Sequence, residues 1–282
     1  NKGLSAARNT GLMRATGQYI IFLDDDDFLV ISQLPALVQL ADHGAVDVIS
    51  LPYIERTTSD QRIKPPVPSL SAWKGADYFA LMLMEHDHFI APAWAYCYRR
   101  GFLIEKDLRF KPGIYHEDCL FTPQAITQAN QLTVFDHATY VYVRRPESIT
   151  LSTDEHKRLK RIRDLQTIVG DLISYRDKNS PVFGRKFKAS VNRWAAFLLN
   201  YQKGISDGHG VMDYKEISEK TASALLQSDT EYFLYPDAQH HWYRELFESI
   251  LHEPLTEAAR SPLIKATNSA MQFFRFLKGW GK

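Results

Sequence analysis

Apolar positions recur at helical intervals through LSAARNTGLMRAT (residues 4–16), at Leu4, Ala7, Gly11, Leu12 and Ala15. The spacing predicts an amphipathic helix, closed at Gly17 because glycine readily takes the left-handed conformation beyond a helix end. The pattern then changes. Residues 19–23 form a continuous apolar run of β-branched and aromatic side chains, as expected of a strand buried on both faces. Residues 31–44 return to helical spacing and stop at Gly44, and VDVISLPYIE (46–55) reads as the next strand. Alternating helix and strand predicts an α/β fold, a mostly parallel sheet flanked by helices.

Further along, the Pro-rich stretch 63–70 is a loop, residues 71–86 are helical, and 91–103 read as a strand running into a turn or short helix. A helix follows the acidic pair in YHEDCLF, and residues 132–145 supply one or two short strands. Near residue 150 the character shifts. Leu159, Ile162, Leu165, Ile168, Val169 and Leu172 keep a helical period, and strand signals nearly vanish. The expected organisation is an α/β domain over 1–150 and a helical C-terminal region over 151–282.

Composition narrows the classes. With 45% hydrophobic and 24% charged residues among 282, the chain is globular. A net charge of +1 offers no field for nucleic acid, so no nucleic-acid partner is expected. Two cysteines, Cys97 and Cys119, make no disulfide framework and no zinc spacing, which fits a reducing, cytoplasmic setting. No apolar run reaches the length of a membrane span.

The candidate chemistry starts at GQYIIFLDDDDFLV (17–30), where Asp24, Asp25, Asp26 and Asp27 follow a predicted strand. Ligands of open α/β sheets bind at the carboxyl ends of strands. Successive side chains there alternate, so Asp24 and Asp26 share one side and can converge on a hard cation such as Mg²⁺ or Mn²⁺. The plainer alternative is a solvated acidic loop with one Asp capping the next helix. A haloacid dehalogenase-like phosphatase would also place an aspartate pair here, but Phe28 stands where that pattern wants a small or β-branched residue.

The full stretch NKGLSAARNTGLMRATGQYIIFLDDDDFL closely resembles the middle of inverting glycosyltransferase family 2 domains. Asn1, Gly3, Ala7, Arg8, Asn9, Gly11, Gly17, Tyr19, Asp24, Asp26 and Asp27 fall on its spacing. AWAYCYRRGFLIEKDLRFKPGIYHEDCLF and YVYVRRPESIT resemble later segments of the same family, so the resemblance covers about residues 1–150. It implies a GT-A-like, Rossmann-related fold and a sugar transfer from a nucleotide-diphosphate donor, a UDP-sugar by preference. The acceptor would be a glycan or a lipid-linked glycan of cell-surface polysaccharide synthesis. The family's opening strand and base-contacting segments would precede Asn1, so the expectation is a chain beginning inside the domain, lacking its nucleotide-binding first half. A non-catalytic remnant that binds metal or glycan is the alternative. The Q-x-x-R-W motif of processive synthases is absent, which favours transfer of one or few sugars per encounter.

By the same resemblance Asp26 ligates Mn²⁺ or Mg²⁺, Asp24 supports that site and contacts the ribose or sugar, and Asp25 lies with them on the donor side. Asp118 is the general base and Glu117 its helper or an acceptor contact. A helix N-terminal dipole is expected to keep Asp118 ionised, and plain helix capping is the alternative. Arginine suits phosphate. Arg8, Arg144 and Arg145 are therefore donor-binding candidates, against surface salt bridges. Trp94 and Tyr96 are candidates for stacking on an acceptor sugar, against ordinary core packing. Asp27 is expected to orient the helix after it. His86 and His88 lack a third spaced ligand and read as a solvated helix end. Basic residues between Lys157 and Arg163, with the aromatic and basic C-terminal end, make peripheral contact at the inner face of a membrane an expectation, against plain packing.

Overall fold

The computed structural model describes residues 3–42, 46–57, 59–64, 73–84, 89–144 and 154–206. Arg145, His86, His88 and the end of the chain from 207 lie outside the described residues. The chain folds as α1 (Leu4–Arg14), β1 (Tyr19–Ile21), β2 (Phe28–Leu29), α2 (Leu34–Asp42), β3 (Val48–Ser50), β4 (Tyr53–Arg56) and β5 (Gln61–Lys64). There follow α3 (Gly75–Met84), β6 (Tyr96–Arg99), α4 (Arg100–Glu105), α5 (Asp118–Gln128), β7 (Leu132–Val134), β8 (Tyr140–Val143) and α6 (Glu155–Ser206).

The strands build two four-stranded sheets, ordered β1-β6-β3-β7 and β2-β8-β4-β5. The α/β class and the flanking helices are as expected; the mostly parallel pairing is not. Only β3–β7 and β4–β8 run parallel among the described pairs, and the rest are antiparallel. The predicted strand 46–55 is two strands, one in each sheet. Pro52 falls between them and has no N–H to give a ladder. β1 is half-buried rather than buried on both faces, because it lies at the end of its sheet with β6 alone beside it.

Alternation along β3 sends its side chains to two cores. Ile49 packs with Leu37, Ala41, Cys97 and Phe135 on the α2 side. Val48 faces the larger core, where Phe22, Tyr98, Phe110 and Phe121 meet α3 and α5. That core also takes in Leu165, Ile168, Val169, Leu172, Phe187, Val191 and Trp194 of α6. The helical stretch after residue 154 is thus packed on the α/β core. It is not one rod: Gly184 has φ 81° and ψ −168°, which breaks α6 into two helical stretches. Among the described residues no helix is long and apolar enough to cross a membrane.

α1 departs from its expected face. It ends at Arg14 with an extended Ala15 as its cap, and Gly17 has no left-handed φ. Its buried residues are Ser5, Arg8 and Leu12, while Leu4 is exposed. An arginine occupies the centre of the face that apolar spacing would have given to Ala7 and Gly11.

Candidate active site

Arg8 points inward from the middle of α1 and is only 6% exposed. A buried cation must find anions, and this one finds three. Its Nη2 donates to Asp24 Oδ1 at 2.7 Å, and its Nη1 donates to Glu117 Oε1 and Asp118 Oδ1, each at 2.7 Å. The guanidinium plane also lies 5.2 Å from the Phe110 ring centre, a cation–π contact. Asn9, the next residue, pairs with the backbone of Phe110 in both directions, at 2.8 and 2.9 Å. These bonds fix α1 against the segment leading to Glu117. The aspartate-rich loop and the acidic pair, far apart in sequence, meet on one side chain.

One positive charge against three negative ones leaves the ionised cluster two negative charges in excess. Burial makes that costly. It pushes the Asp118 carboxyl up to about 7, against the pull of Arg8, with Glu117 and Asp24 adding to the rise. Glu117 is raised for the same first reason, loss of water, again opposed by Arg8. The expected dipole effect on Asp118 is therefore outweighed by desolvation. Capping does not explain the pair either, since Glu117 stands at the cap position of α5 with no side-chain capping bond. Asp118 keeps 18% of its side chain accessible, enough to meet a ligand.

Each aspartate of the loop has a separate environment. Asp27 is buried and does not orient the helix that follows it. Its carboxylate accepts from Tyr140 Oη at 2.7 Å and from the Val143 N–H at 2.8 Å. The Tyr140 hydroxyl in turn accepts from the Asp24 N–H at 3.2 Å. These bonds tie the loop to β8. Burial raises Asp27 above the usual carboxylate range, while its two hydrogen bonds oppose the rise. Asp24 and Asp26 are half-buried and Asp25 is exposed. A cleft of about 630 Å³ runs beside α1 and β1 and is lined at its polar end by Arg8, Asp24, Asp25 and Asp26.

The described residues hold no closed cage of three His, Cys, Asp or Glu. An open, oxygen-only set is what a magnesium-type ion uses when substrate phosphates and water complete its shell. Asp24 and Asp26 fit that role. Both are partly accessible carboxylates lining the cleft, and Asp24 also belongs to the cluster that has an excess of negative charge.

Other sequence candidates land elsewhere. Trp94 and Tyr96 are corrected to core residues. Trp94 is 5% exposed, its ring stacked on Tyr140 (4.4 Å between centres) and Tyr142 (5.4 Å), with Tyr53 edge-on. Tyr96 is fully buried and its hydroxyl donates to the Ile90 carbonyl at 2.8 Å. Neither offers a ring face to a sugar. Arg144 follows Val143 at the end of β8, is 56% exposed, and lies 3.3 Å from Glu55. The residues that pattern reading missed are Tyr140, which locks the aspartate loop, and the carboxylate-bridging use of Arg8. A tyrosine within the predicted strand segment 132–145 was the available signal for the first.

Residues 1–104 match the family described as Glycosyl transferase family 2. The uncharacterized glycosyltransferase EpsJ of Bacillus subtilis is 32% identical over 155 residues, 53% of this chain and 44% of its own length. The cholesterol galactosyltransferase of Borreliella burgdorferi is 22% identical over 179 residues, 60% of this chain and 50% of its own. The chain thus spans about half the length of these curated relatives. Among solved structures, S. aureus TarS 1-349 in complex with UDP-GlcNAc superposes with a TM-score of 0.55 at 18% identity. That match covers 97% of this chain and 72% of TarS 1-349. The likeness establishes a shared fold.

Proposed function

We propose that this chain carries the catalytic carboxylates of an inverting glycosyltransferase that moves a sugar from a nucleoside-diphosphate donor to a hydroxyl of a glycan or lipid-linked acceptor. The observation that carries the reading is the Arg8 bridge, which joins Asp24 of the first acidic motif to Glu117 and Asp118 of the second. A solvated acidic loop would have no such partner. A UDP-sugar is the favoured donor, supported by the UDP-GlcNAc and UDP complexes of TarS, whose fold is similar.

In this account Asp24 and Asp26 are the residues that would hold Mn²⁺ or Mg²⁺. When bound, the ion supplies positive charge against the departing diphosphate. Asp118, ionised, accepts the proton of the acceptor hydroxyl. The acceptor oxygen forms its bond to the anomeric carbon as the carbon–phosphate-oxygen bond breaks, and the electron pair leaves with the nucleoside diphosphate. Glu117 and Arg8 hold Asp118 in place. Arg144 and Arg145 are the remaining donor-side candidates, and the chain works at the cytoplasmic face where lipid-linked acceptors are presented.

The test of the metal role is a titration of Mn²⁺ by electron paramagnetic resonance with UDP present. Asp26→Asn is expected to weaken Mn²⁺ binding by about tenfold or more. Equal affinity in the two proteins would remove Asp26 from the metal site.

A further inference from the structure

Resting on the reading of Asp118 as acceptor-side base, we propose that α6 is the brace that sets the position of Asp118, with Asp164 as its positioning residue. The segment 111–119 carries Glu117 and Asp118, and α6 grips it on both sides of that pair. Ahead of the pair, Lys111 Nζ meets Asp171 Oδ2 at 2.6 Å, and Lys160 Nζ donates to the Gly113 carbonyl at 2.6 Å. The Tyr115 N–H donates to Asp164 Oδ2 at 2.7 Å, and Lys160 reaches the same oxygen at 2.6 Å while lying 4.7 Å from the Tyr115 ring centre. The His116 ring meets Tyr201 edge-on at 5.6 Å.

Behind the pair, Trp194 Nε1 donates to the Cys119 carbonyl at 2.9 Å. That carbonyl is open for a reason legible in the sequence. Its helical partner would be the N–H four residues on, and that residue is Pro123, inside α5, which has none. An indole from α6 fills the vacancy that the proline creates.

Both stretches of α6 take part, Lys160, Asp164 and Asp171 before the Gly184 break and Trp194 and Tyr201 after it. In an unbroken helix Lys160 and Tyr201 would stand about 60 Å apart at 1.5 Å per residue. Here both touch residues within 113–116. The break is what brings two distant turns to one loop. The loop needs holding, because His116, directly before Glu117, has a left-handed φ of 60°, a conformation that persists when surrounding contacts enforce it. The work is divided: Arg8 holds the side chains of Glu117 and Asp118, and α6 holds the backbone on either side of them. Asp164, 8% exposed, is the acceptor on which a backbone N–H and a lysine converge. It acts through the loop and touches no reacting atom.

The experiment compares steady-state transfer by wild type, Asp164→Ala, Asp164→Asn, Trp194→Phe and Asp118→Asn, per folded molecule, within the natural reading frame. Asp164→Ala is expected to lower kcat by about tenfold to a hundredfold, the scale of a small misplacement of a reacting group. Donor KM and the Mn²⁺ requirement should stay within about twofold. Asp164→Asn keeps an acceptor oxygen for the Tyr115 N–H and should recover most of the rate. Trp194→Phe keeps the ring but loses the donor, and should show the same kcat signature even where Asp164→Ala does not fold. A loss explained by folded fraction alone, or a shift in donor KM without one in kcat, overturns the proposal. Full activity in Asp118→Asn overturns the base reading and this one with it. An inactive Asp118→Asn beside normal turnover in Asp164→Ala and Trp194→Phe overturns only the brace.

Discussion

Replacing Asp118 with Asn is expected to abolish most sugar transfer, lowering kcat by about a hundredfold to ten-thousandfold, the usual contribution of a positioned general base. Mn²⁺ and nucleoside-diphosphate binding should be nearly unchanged, because Asp24 meets Arg8 through the other guanidinium nitrogen and Asp26 is not among the partners of Arg8 shared with Asp118. The pH dependence gives the sign. Burial holds the Asp118 proton up to about 7, and only the ionised form accepts a proton, so wild-type kcat should rise with pH through that value. Stability of the metal-free protein should run the other way. An acid whose folded value is raised binds its proton more tightly when folded. Its contribution therefore favours the fold below its unfolded value near 3.8 and is lost as pH rises to about 7. Glu117 and Asp27, also raised by burial, add to that slope. In Asp118→Asn its share of the slope should vanish, which thermal melts between pH 4 and pH 8 would read directly.

Arg8→Met is expected to be the most destabilising single change at the site, at about 3–5 kcal/mol, because it leaves a buried charge cluster without its counter-ion. The loss should depend on pH. Arg8 draws down the proton affinity of its carboxylate partners, so without it they hold protons more tightly and the mutant suffers less in acid. The difference in melting temperature from wild type should be larger at pH 8 than at pH 5. Arg8→Lys keeps the charge but not the planar fork that serves three oxygens at once, and should fall between the two. A pH-independent, small effect would mean the cluster is not held together as an ion network.

What sequence reading could see here was chemistry that leaves a local mark. Four aspartates after a hydrophobic run and a Glu-Asp pair opening a helix are visible without any fold. Arg8 was visible as a residue but not as a bridge, since its partners lie 16, 109 and 110 positions away. Apolar spacing misplaced the buried face of α1 for the same reason: a buried arginine scores as surface. Trp94 and Tyr96 show the reverse error, where an aromatic pair read as part of a strand looks like a sugar platform until both rings prove to be packed in the core. Pro52 marked the point where one predicted strand becomes two, and Pro123 marked the carbonyl that Trp194 occupies. Both were legible as punctuation, though their consequences needed the third dimension.

The proposed function requires that two acidic motifs, joined at Arg8, form one metal-assisted sugar-transfer site. The most direct test is Mn²⁺-supported turnover of UDP-sugars and other nucleotide-sugar donors, with wild type, Asp26→Asn and Asp118→Asn compared in the natural reading frame. Wild type is expected to turn over donor in a reaction that chelation removes and that both substitutions remove without unfolding the protein. Folded wild-type protein that turns over no donor, or an Asp118→Asn variant as active as wild type, would contradict it.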